Sequence, residues 1–136
     1  MTERVLDTWA VVAWLKDEPA AAHVGQLLDG VTRREHRLVM NIVNLGEVFY
    51  VVAKLKNLAL AERVADSLRS RISVVSATDD LVMHAAGLKA RHKIAYADAF
   101  AASTAMIRHV PLVTGDPELK NLSAHEKNLQ LEWIAS

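Results

Sequence analysis

Five short β-rich runs alternate with stretches of helical spacing along this chain, and that alternation admits few architectures. Arg4-Val5-Leu6 reads as a strand ending at Asp7, and Thr8 to Lys16 as a helix with Ala10, Ala13 and Trp14 at helical spacing. Pro19 to Thr32 is predicted to form a second helix, with Pro19 at its first position and Val24, Leu27, Leu28 and Val31 on one face. Arg37 to Ile42 reads as the next strand. Helices are expected over Asn44 to Leu55 and Leu58 to Ser70, followed by a short strand over Ile72 to Val75. Thr78 is placed to cap a helix running to about Arg91, and the alanine-rich stretch Ala95 to Arg108 is helical. Pro111 to Thr114 reads as a strand, Gly115-Asp116-Pro117 as a turn, and Leu129 to Ile134 as the last strand. Strands separated by helices predict an α/β domain around a mainly parallel central sheet of about five strands. With no repeat or linker, residues 1–136 are expected to form one domain.

Composition removes several classes. With 51% hydrophobic and 24% charged residues, the chain is too apolar to be disordered and can build a core without disulfides or a structural metal. The absence of cysteine excludes thiolate zinc sites and a cysteine nucleophile, and fits a reducing, cytoplasmic setting. The longest run free of Asp, Glu, Lys and Arg is Pro19 to Leu28, far short of the roughly 20 residues a membrane span needs. Glu3 and Arg4 near the start predict neither a secretory signal nor a transit peptide. Sixteen basic residues balance sixteen acidic ones, which argues against crude electrostatic binding of nucleic acid. If four acids were gathered at a metal site, however, the remaining surface would be net positive and would attract phosphate. Arg33, Arg34, Arg37, Lys54, Lys56, Arg69, Arg71, Arg91 and Lys93 read either as solvated helix faces or, for some of them, as a phosphate path.

Four carboxylates stand out, and each also has a local explanation. Asp7, at a strand-to-helix junction, is a natural N-cap. Glu47 lies roughly 200° around its helix from Leu45, away from the apolar stripe of Leu45, Val48, Val52 and Leu55. It could instead close a capping box with Asn44 as N-cap. Asp98 is the only charged residue between Lys93 and Arg108, set among alanines that let a helix pack close to a sheet, so its carboxylate is expected to be partly desolvated. A first-turn acid is also favoured by the helix dipole. Asp116, before Pro117, matches another N-cap, while Gly115 would let Thr114 and Asp116 project from a strand end.

Taken together, two of these acids follow strands and two open helices, and in a parallel α/β sheet those positions share the carboxyl edge where ligands bind. Four converging carboxylates repel one another unless a cation neutralises them, and oxygen donors without Cys or paired His select a hard ion such as Mg²⁺ or Mn²⁺. The six histidines show no metal-binding spacing and are expected at the surface or at helix ends. No Walker loop, GxGxxG or GxSxG occurs, and Asp7-Thr8-Trp9 lacks the second acid that a phosphoaspartate enzyme wants.

Val5-Leu6-Asp7-Thr8, Asn44-Leu45-Gly46-Glu47-Val48, Tyr96-Ala97-Asp98-Ala99-Phe100 and Leu112-Val113-Thr114-Gly115-Asp116 resemble, in order and approximate spacing, the motifs of PIN-domain proteins. The likeness is greatest to the VapC-type toxins of bacterial and archaeal toxin-antitoxin pairs, and it covers essentially the whole chain. It implies a three-layer α/β/α sandwich and an Mg²⁺- or Mn²⁺-dependent endoribonuclease that cuts RNA, is held inactive by a cognate antitoxin, and forms a homodimer. By the resemblance, Asp7, Glu47, Asp98 and Asp116 match the acidic quartet and Thr114 the hydroxyl residue before the last acid, with Thr8 and Asn44 as supporting residues. Trp9 and Asn44 depart from the pattern, standing where hydroxyl residues are usual. A Trp9 that narrowed the site would leave the alternative of a catalytically impaired RNA-binding or protein-interaction module. Trp9, Trp14, Phe49 and Tyr50 fit either the core or a groove for an antitoxin helix.

Overall fold

The computed structural model describes residues 1–136. Its elements, in order, are β1 (Thr2–Leu6), α1 (Thr8–Leu15), α2 (Ala21–Thr32), β2 (His36–Asn41), α3 (Ile42–Leu55), α4 (Leu58–Arg69), β3 (Ser73–Val75), α5 (Asp79–Arg91), α6 (Tyr96–Arg108), β4 (Leu112–Thr114), α7 (Pro117–Ser123) and β5 (Leu131–Trp133). The five strands form one sheet in the order β3-β2-β1-β4-β5. Every pairing is parallel, as helical crossovers between neighbouring strands require.

Side-chain alternation along the strands produces the layers. Val5, Val39 and Leu112 face a core built with α5, α6 and α7, while Leu6, Leu38, Met40 and Val113 face the opposite one, built with α1 to α4. Both faces of the sheet are therefore covered, which is why its central strands read as continuous apolar runs. In α6, Ala99, Ala101, Ala102 and Ala105 are all buried, and their small side chains let the helix lie against β1 and β2. No helix is long and apolar enough to cross a membrane.

Several local expectations are corrected. α2 begins at Ala21 rather than at Pro19, because Asp17 adopts a left-handed backbone (φ 54°) and the chain is still turning through Pro19 and Ala20. α3 starts at Ile42, capped by Asn41, whose Oδ1 accepts the Val43 N–H at 2.9 Å. Asn44 is thus inside the helix and forms no capping box with Glu47. Leu55, placed on the apolar stripe by its spacing, is 59% exposed because α3 outruns the core at that end. His36 is buried beneath α2, with its Nε2 2.7 Å from the Leu27 carbonyl oxygen, and so departs from the surface placement expected of the histidines. Asp116 caps α7, a helix that the pattern gave only as an alternative to a turn.

Candidate active site

The strand order places a reversal of winding between β1 and β4. From β1 the chain proceeds outward through β2 to β3, then returns through α5 and α6 to lay β4 along the other side of β1. Crevices at such a reversal, beyond the carboxyl ends of the strands, are where open α/β sheets bind ligands. Asp7 follows β1 and Asp116 follows β4 at that edge, while Asp98 occupies the first turn of α6.

Asp7 is only 1% exposed and serves two structural purposes at once. Its Oδ1 accepts the Ala10 N–H at 2.8 Å and caps α1, while Oδ2 accepts the Thr114 hydroxyl at 2.5 Å. The Thr114 hydroxyl oxygen in turn accepts the Asp116 N–H at 3.0 Å, and Asp116 Oδ1 accepts the Glu118 N–H at 2.9 Å. The ends of β1 and β4 and the start of α7 are thereby fixed to one another. The N-cap explanation holds for Asp7 and Asp116, each of which accepts an N–H in the first turn of the helix that follows it.

A second tie brings α3 and α6 to the same edge. Asn44 is buried, and its Nδ2 donates to the Ala97 carbonyl at 3.0 Å and lies 3.5 Å from the Thr8 hydroxyl. The Thr8 hydroxyl donates to the Asn44 carbonyl at 3.3 Å. Asn44 Oδ1 is buried without a partner. Glu47, one turn further along α3, is half-buried, and its Oε2 accepts the Tyr50 hydroxyl at 3.3 Å.

Electrostatics define the site more sharply than contacts do. Burial pushes the Asp7 carboxyl up to about 7, with a further rise from the Asp116 charge, against the lowering effect of the Thr114 and Ala10 hydrogen bonds. Asp98 is pushed up to about 8, first by burial and then by the charges of Asp116, Asp7, Glu118 and Glu47. Every influence on Asp98 acts in the same direction, and no cation pairs with it. The four acids picked from the sequence therefore share one electrostatic neighbourhood, but no three of them are drawn into a single preformed metal-holding group. Glu118 is the member the sequence reading missed. Its signal was its place in the first turn of α7, two residues beyond Asp116.

An all-oxygen donor set under mutual repulsion fits a hard divalent cation. Trp9 is half-buried, and its indole packs on the backbone of Gly115, where a Cβ would collide with the ring. Trp14 and Phe49 pack against the core on the α1–α4 side, whereas Tyr50 is 49% exposed.

The chain belongs to the PIN domain family, whose model matches residues 4–124. The fold has solved counterparts. VapBC2 of Rickettsia felis, bound to a DNA fragment from its promoter, has a chain 21% identical, matching over 98% of this chain and 100% of its own with a TM-score of 0.75. VapBC-1 of nontypeable Haemophilus influenzae is likewise 21% identical, over 99% of this chain and 100% of its own, with a TM-score of 0.75. DNA-bound VapBC of Salmonella typhimurium is 17% identical over 99% and 100%, also with a TM-score of 0.75. At these identities the likeness establishes the fold. No curated protein matches the chain.

Proposed function

We propose that this chain is an endoribonuclease that hydrolyses RNA phosphodiester bonds with Mg²⁺ or Mn²⁺, and that it is the toxin of a cytoplasmic toxin-antitoxin pair. The observation that carries the chemistry is Asp98, a carboxylate in the first turn of α6 with burial and four like charges acting on it and no cation to relieve them. Asp7 and Asp98 are assigned the closest metal contacts, with Glu47 and Asp116 as further ligands or water-orienting groups. Bound there, a divalent cation supplies positive charge that polarises a phosphodiester and eases deprotonation of an attacking water. Thr114 keeps Asp7 oriented through its hydroxyl, and Asn44 with Thr8 holds the start of α6, and hence Asp98, against α3.

Membership of the PIN family supports the nuclease reading, and the structural relatives solved as VapBC complexes support an antitoxin partner. Asp98→Asn is expected to fold and to lose more than about 100-fold of Mg²⁺- or Mn²⁺-dependent RNA cleavage, because losing a direct ligand should cost more than losing an outer partner, which costs up to about 100-fold. Equal cleavage by variant and parent overturns the assignment. The toxin reading expects a short DNA-binding protein encoded next to this chain whose co-expression suppresses the cleavage.

A further inference from the structure

The acidic neighbourhood borders a cavity of opposite character. Glu118, whose charge acts on Asp98, also lines a cavity of about 390 Å³ formed by the α5–α6 connection and α7. Its other polar walls are Arg91, His92, Lys93, Asn121 and His125. Ile94 and Leu122, both buried, give it an apolar floor. Lys93 takes part in none of the chain's ion pairs. Arg91 reaches Glu126 only at 3.4 Å, and its side chain is 57% exposed. Glu126 is held chiefly by His92, at 2.7 Å. Lys93 thus remains available to an incoming anion, and Arg91 is held only by one long, largely exposed contact.

A polyanion entering the crevice meets carboxylates that repel it, so it needs cationic anchors close by, and this cavity supplies them where Glu118 joins the two regions. Its size falls at the lower end of the range of small-ligand sites, enough for one nucleotide. The His92 and His125 rings, 6.3 Å apart and tilted by 44°, offer imidazole faces for an unpaired base, and the Asn121 amide offers both a donor and an acceptor to a base edge.

We propose that the cavity between the α5–α6 connection and α7 binds one nucleotide of single-stranded RNA next to the cleaved phosphodiester, with Lys93 and Arg91 holding its phosphate and Asn121 and His125 contacting its base. This inference rests on the ribonuclease reading. Its test uses the Asp98→Asn protein, expected to leave RNA largely intact over the measurement, and follows the affinity for a single-stranded RNA oligonucleotide as a function of salt. Adding Lys93→Gln is expected to weaken binding and to flatten the slope of log affinity against log salt by about 0.7, the value for one phosphate contact on a single strand. Lys56→Gln, at the far end of α3, is expected to leave the slope unchanged. In the cleaving parent, His125→Ala is expected to redistribute the cleavage positions along a mixed-sequence RNA. Equal slopes for the Lys93 and Lys56 variants, or an unaltered cleavage map, overturn the inference while leaving the ribonuclease reading intact. A parent that neither binds nor cuts RNA overturns both.

Discussion

A carboxylate whose charged neighbours are all negative makes folding itself dependent on pH, and Asp98 is such a residue. Folded, its carboxyl keeps a proton to about pH 8, whereas an ordinary aspartate loses it near 3.8. Between those values the folded state binds more protons than the unfolded one, so this group's contribution is complete below 3.8 and is lost as pH rises through 8. In metal-free buffer, Asp98→Asn is therefore expected to melt higher than the parent, by a small margin at pH 5 and a larger one at pH 8. Thermal melts in chelator at the two pH values check this, and an equal gain at both would contradict it. The isolation of Asp98 among alanines is plain in the sequence, because a lone charge on a small-residue helix has no apolar reason to be there. Glu118 was hidden by its surroundings, since an acid in a first turn beside Pro117 looks like ordinary dipole compensation. The free acceptor of Asn44 was equally hidden, as it depends on where α6 lies.

At the scale of elements, the packing of α1 against the β4–α7 connection rests on a missing side chain. Gly115 has no left-handed backbone to justify it; what it supplies is room for Trp9. Gly115→Ala is expected to destabilise the protein by about 1–3 kcal/mol, the usual cost of overpacking. Trp9→Ala in the same chain should recover part of that loss, a coupling that chemical denaturation of the two single variants and the double variant measures. Independent effects of the two substitutions would refute the contact. The departure of Trp9 from the family pattern was visible in the sequence, but its partner was not, because nothing local links residue 9 to residue 115. The starts of α2 and α3 were misplaced for a related reason. A helix begins where a side chain or turn satisfies its first amides, and here Asn41 and the left-handed Asp17 outweighed the propensities of Asn44 and Pro19. α4, α5 and α6 fell within a residue of expectation.

For the molecule as a whole, the parallel sheet followed from the alternation of strands with helices, whereas the strand order did not, because periodicity says nothing of which strands become neighbours. That order brings Asp7 and Asp116 close enough for the charge of one to act on the other, and the proposed cation depends on that pair. A ligand bound only by the folded state adds about 2.7 kcal/mol at a hundred times its dissociation constant. Millimolar Mg²⁺ or Mn²⁺ is therefore expected to raise the melting temperature of the parent, more at pH 8 than at pH 6, as the acids that would receive the ion lose their protons. Asp98→Asn should lose most of the rise. An identical response of parent and variant, or none in the parent, would count against a metal at this edge.

The seating of β4 beside β1 also has a consequence for synthesis. Translation delivers Asp7 107 residues before its hydroxyl partner Thr114. A nascent chain still short of β4 therefore lacks the hydroxyl that holds Asp7, so this edge of the sheet is assembled only after β4 has been made.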